Sequence, residues 1–95
     1  MGNDLYTQIS HLSRMGNVEL QPHPFVQRQY TYVSADPQLF IRYFECEDHS
    51  TAHVYYECRP VYLATRSNEG SMSIKEHCNG EWEEKISSLL NVVAS

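Results

Sequence analysis

Apolar residues recur at helical spacing near both ends of this chain and alternate with polar ones between. Leu5, Ile9, Leu12 and Met15 lie three or four positions apart, which places them on one stripe of a helix. Asn3 and Asp4 suit its N-cap, and Gly16-Asn17 suits its stop, so a first helix is predicted from about Asp4 to Met15. Trp82, Ile86, Leu89, Leu90 and Val93 form a second stripe. Asn79-Gly80 opens that helix, and Glu81, Glu83 and Glu84 stand where the helix dipole favours anions.

Between the helices the period is two. Val18–Gln21 reads as a short extended piece, Pro22-His23-Pro24 as a stiff linker, and Phe25–Ser34 as a strand. Ala35-Asp36-Pro37-Gln38 is a turn with proline presetting φ. Folding about it sets Tyr32 opposite Ile41 and Tyr30 opposite Tyr43. Leu39–Cys46 and His53–Cys58 are rich in aromatic and β-branched residues and flank a polar stretch, so they read as an antiparallel hairpin. A turn centred on His49-Ser50 sets Phe44 opposite Tyr55, Arg42 opposite Glu57 and Cys46 opposite His53. The other face then gathers Leu39, Ile41, Tyr43, Val54, Tyr56 and Cys58.

Pro60 interrupts the run that follows. A strand proline removes a ladder donor, so a bulge is expected at Arg59-Pro60. It would bring Val61, Leu63 and Thr65 onto the face of Val54. Ser67-Asn68-Glu69-Gly70 turns the chain, and Ser71–His77 returns with Met72 and Ile74 beside Thr65 and Leu63. The whole is a single α+β domain over residues 1–95. The predicted architecture is a two-layer sandwich: an N-terminal helix, a bent antiparallel meander of about four or five strands, and a C-terminal helix, with both helices on one sheet face.

Charge and cysteine content narrow the partners. The formal net charge is −5, which disfavours nucleic acid and anionic membrane alike. No apolar run approaches the roughly 20 residues of a membrane span. Met-Gly-Asn-Asp-Leu lacks the basic and apolar regions of a secretory signal. With 3 cysteines, an odd count, the expectation is reduced thiols in the cytoplasm.

Cys46-x2-His49-x3-His53-x4-Cys58 holds zinc-ligand residue types, but its spacing is that of no finger or ribbon. The register also points Cys46 and Cys58 to opposite faces, which excludes a disulfide between them. They read as small apolar strand residues beside loop histidines. Cys78 and His77, adjacent on a strand, point to opposite sides, so no activated thiol is expected. The glycines are scattered and cradle no phosphate, and no metal or cofactor is expected. Catalysis from Glu57, His53 and Arg59 is compelled by no spacing, so the chain reads as a binding module sooner than an enzyme.

The sheet side away from the helices carries the candidate chemistry. Val33, Phe40, Phe44, Tyr55 and Tyr62 lie there, interleaved with Arg42, His53, Glu57 and Arg59. Solvated sheet faces are usually Thr, Lys, Glu and Ser, whereas aromatics with arginine mark interfaces. Single exposed aromatics also occur without any role. The expected function is a homodimeric or protein-partner surface, anchored by Phe40, Phe44, Tyr55 and Tyr62, with Arg42 and Arg59 setting specificity. Base stacking on such a face is disfavoured by the acidic charge. The alternative is a small-molecule pocket between sheet and helices, with or without catalysis, lined by Tyr30, Tyr32, Tyr43 and Tyr56.

Overall fold

A computed structural model describes residues 5–36, 38–67, 74–77 and 80–94. Helix α1 (Leu5–Ser13) precedes a six-stranded sheet, and α2 (Gly80–Ala94) follows it. The strands are β1 (Asn17–His23), β2 (Val26–Ala35), β3 (Gln38–Cys46), β4 (His49–Tyr56), β5 (Arg59–Ser67) and β6 (Ile74–His77). They form an open antiparallel meander in chain order, and both helices cover one face of it. Asn3, Asp4, Pro37, Asn68, Glu69, Gly70, Met72, Cys78 and Asn79, which carry several of the expected caps and turns, lie outside the described residues.

The strand count exceeds the expectation at two places. Asn17–His23 is a full strand, paired with β2 from Asn17↔Thr31 to His23↔Val26. The long run beyond His53 is two strands, because the chain reverses at Glu57-Cys58. Both residues have positive φ, 51° and 67°. That is the pair of left-handed residues whose twist matches flanking antiparallel strands, a turn that normally selects Asn-Gly. Glu57-Cys58 carries no such signal. The Glu57 N–H also donates to the Gln38 carbonyl at 3.2 Å, tying this turn to the start of β3.

The bulge that Pro60 requires is present one residue on, and the turn before it inverts the expected faces of β5. Tyr55 pairs with Pro60 and Val54 with Tyr62, so Val61 is the extra residue. Tyr62 and Ala64, and not Leu63 and Thr65, therefore share the core face with Val54. Tyr62 is 3% exposed and its hydroxyl donates to the Glu76 carboxylate. Ile74 pairs with Arg66, three residues from Leu63, its expected neighbour.

The β2–β3 register is the one the sequence dictates, with Tyr32 opposite Ile41 and Tyr30 opposite Tyr43. The β3–β4 turn falls at Glu47-Asp48 instead of His49-Ser50. Asp48 accepts a 2.6 Å hydrogen bond with His49 Nδ1 there. Tyr55 consequently faces Phe40, not Phe44, and Arg42 faces His53, not Glu57. The shift is an even number of residues, so Leu39, Ile41, Tyr43, Val54 and Tyr56 still share one face.

The core lies between that face and the helices. Leu5, Tyr6, Ile9 and Leu12 of α1 and Ile86 and Leu90 of α2 meet Leu39, Ile41, Tyr43, Ala52, Val54, Tyr62 and Ala64. Fully burying each large aliphatic side chain contributes about 1.5–3 kcal/mol. Ala52 and Ala64 stand opposite each other at the sheet centre and are wholly buried. The Tyr6 hydroxyl is hydrogen-bonded to Ser50 Oγ, which satisfies both buried groups. Met15 does not join the stripe; α1 ends at Ser13, and Met15 is 69% exposed. Just beyond, Gly16 lies so close to the Thr31 carbonyl that any Cβ would collide with it.

Candidate functional site

Three of the rows that the registers define on the outer face, away from α1 and α2, carry the candidate chemistry. The first is Val33–Phe40–Tyr55–Pro60, from β2 to β5. The second is Asn17–Thr31–Arg42–His53–Leu63–His77. The third is Glu19–Gln29–Phe44–Thr51–Thr65–Lys75. The first row is apolar throughout. Phe44 and Leu63 extend it toward the other two.

The rings of this face pack on one another. Phe40 and Tyr55 have centroids 5.8 Å apart, Phe44 and His53 5.5 Å, and His53 and Tyr55 6.4 Å. The Arg42 guanidinium lies 5.1 Å from the Phe44 ring centre. These contacts leave Phe40, Arg42, Phe44, His53 and Tyr55 only half-exposed, although α1 and α2 lie on the other face of the sheet. Val33 and Leu63 are more open, at 67% and 40%. Burial first, and the Arg42 charge second, hold the His53 imidazole below its ordinary pKa. His53 is therefore neutral at neutral pH, and Arg42 is the central cation of the patch. Glu19 and Lys75 carry opposite charges at its two edges.

Three of the expected surface residues stand elsewhere. Tyr62 is a core residue, for the parity reason given above. Glu57 occupies the β4–β5 turn with positive φ. Arg59 pairs with Tyr56 and so belongs to the helix-side row. In exchange, Leu63, Pro60, Thr51 and Thr65 enter the outer face. The reversal at Glu57-Cys58 sets the faces of Pro60, Leu63 and Thr65, and the turn at Glu47-Asp48 starts β4 early enough to include Thr51.

The four tyrosines of the alternative pocket fill space more than they line it. Tyr43 is 4% exposed, in edge contact with Tyr6 at 6.0 Å, and Tyr30 packs beside it at 5.9 Å. Arg14 lies over both rings and bonds Glu45 at 2.9 Å, and the Tyr30 hydroxyl donates to the same carboxylate at 3.3 Å. Tyr32 also packs against the core. Tyr56 borders a groove of about 520 Å³ with Trp82, Lys85 and Leu89. Its ring is 5.6 Å from that of Trp82, over which the Lys85 ammonium sits at 5.0 Å. A second groove, about 400 Å³, runs between α1 and α2 past Gln8, His11, Met15 and Leu90.

Cys46 and Cys58 are free thiols at opposite ends of β4, the first raised in pKa by burial. Among the described residues, no group of three or more His, Cys, Asp or Glu side chains is placed to hold a metal ion. Among the same residues, no helix is long and apolar enough to cross a membrane. Comparison of the chain with protein-family models, curated proteins and solved structures gave no match.

Proposed function

We propose that this chain is a protein-docking module whose outer sheet face binds another protein surface. One observation carries the reading: the apolar row Val33–Phe40–Tyr55–Pro60 crosses four strands without a polar residue and is flanked by an arginine stacked on Phe44. Solvated sheet faces interrupt such rows with polar side chains. Aromatics and arginine are the residues that concentrate interface energy. Phe40, Phe44 and Tyr55 act as anchors, and Arg42 sets specificity. Odd cysteine content supports action in a reducing compartment such as the cytoplasm.

The test is a Phe44→Ala, Tyr55→Ala double variant, checked first for a retained far-ultraviolet spectrum and melting transition. Loss of association with the bound protein, seen as a fall in solution mass, supports the reading. A folded variant with unchanged mass and unchanged partner capture refutes it.

A second reading, a small-molecule site, now rests on the groove at Tyr56, Trp82 and Lys85. The aromatic pair and the adjacent ammonium favour a flat anionic ligand there. A saturating ligand, at about 100 times its Kd, would raise stability by about 2.7 kcal/mol, and Trp82→Ala would abolish that rise.

A further inference from the structure

The outer face is self-complementary, and we infer that its occupant is a second copy of this chain. This rests on the docking reading above and specifies its partner. Two sheets that pack face to face about a two-fold axis parallel to their strands place β1 over the partner's β6, β2 over β5 and β3 over β4. The six-stranded order is symmetric about the β3–β4 seam, so each row meets the same row of the other copy.

The side chains fit that operation. In the apolar row, Phe40 meets the second copy's Tyr55, and Val33 meets its Pro60; each contact occurs twice. In the central row, Arg42 meets a second His53, neutral because of burial, so a cation faces a ring and not another cation. In the third row, Glu19 on the β1 edge meets Lys75 on the β6 edge, again twice. Both are exposed and long enough to reach across sheets about 10 Å apart. Turning the axis perpendicular to the strands would instead place β1 over β1, and no charge would find its opposite.

The area is sufficient. Six strands about 4.8 Å apart and three rows about 7 Å apart cover roughly 500 Å² on each copy. The pair buries about 1,000 Å², the lower bound of a specific interface. A dimer of moderate affinity, dissociating on dilution, is the expected behaviour.

Charge exchange at the edges tests this without touching the core. Solution mass is followed by light scattering and sedimentation over a dilution series. The unaltered chain is expected to pass from dimer to monomer. Glu19→Lys and Lys75→Glu are each expected to move that transition to roughly tenfold higher concentration. The double exchange is expected to restore it, and a mixture of the two single variants is expected to form heterodimers. Three results overturn the inference. A chain monomeric throughout the series removes the second copy while leaving docking of a different protein intact. A dimer weakened by Phe44→Ala with Tyr55→Ala but indifferent to the charge exchanges removes the two-fold arrangement. A dimer indifferent to all of these variants lies on another surface, and the docking reading fails with it.

Discussion

Phe40 and Tyr55 face each other across β3 and β4, ring centroids 5.8 Å apart, on the side of the sheet that carries no helix. An aromatic pair in this position contributes to the fold as well as to any interface. A double-mutant cycle of Phe40→Ala and Tyr55→Ala in urea unfolding is expected to give a coupling of about 0.5–1.5 kcal/mol. Measured at dilutions where the chain is monomeric, a coupling near zero would mean that the rings do not pack in solution.

The pH dependence of stability follows from His53. Its pKa in the folded chain lies below the ordinary 6.5, through burial and then Arg42. Folding favours the neutral ring, so the unfolded chain takes up a proton first as pH falls. The contribution of His53 is full above the ordinary value, declines through it, and is gone below the folded value. His53→Gln is expected to flatten the loss of stability as pH falls through the ordinary value of 6.5, relative to the unaltered chain. Arg42→Gln is expected to flatten it in part. Parallel profiles for His53→Gln and the parent would contradict the assignment.

Cys58 holds φ 67° in a turn that suits glycine. Cys58→Gly relieves the left-handed strain but adds freedom to the unfolded chain, so a net gain of about 0.5–1 kcal/mol is expected. Loss of stability in thermal or urea unfolding would show that the Cys58 side chain itself contributes more than its conformation costs.

Gly16 permits the close approach of the α1–β1 connection to the Thr31 carbonyl. Gly16→Ala is expected to destabilise the chain by about 1–3 kcal/mol, since backbone must shift to admit the methyl group. An unchanged urea midpoint would refute that contact.

The face of each strand was legible where parity alone decided it. Leu39, Ile41, Tyr43 and Val54 could be grouped without the correct β3–β4 turn, because an even slip leaves every side chain on its side. The partners of Tyr30 and Tyr32 are legible because the sequence Ala35-Asp36-Pro37-Gln38 signals a reversal by its own chemistry, and Ala35 does pair with Gln38. Glu57-Cys58 gives no such signal: nothing in either side chain asks for positive φ, and tertiary pairing imposes it. Without that reversal β4 and β5 read as one strand, which puts Tyr62 on the outer face instead of opposite Val54. Phe40, Arg42, Phe44, His53 and Tyr55 precede that reversal in the chain, so their shared face is legible from parity. Leu63 is hidden for the same reason: the reversal at Glu57-Cys58 turns it outward, opposite His53.

Every ladder in the sheet joins strands that are neighbours in sequence. Loops closed at each step are short, so strand pairing can follow synthesis hairpin by hairpin without waiting for a distant segment. The helix α2 comes after all of them, and Ile86 and Leu90 are wholly or nearly buried against the rest. Until it emerges, the growing sheet keeps part of its apolar side open to solvent. A chain ending before Gly80 is expected to scatter light at concentrations where the intact chain stays clear, so α2 acts as the closing step of biogenesis.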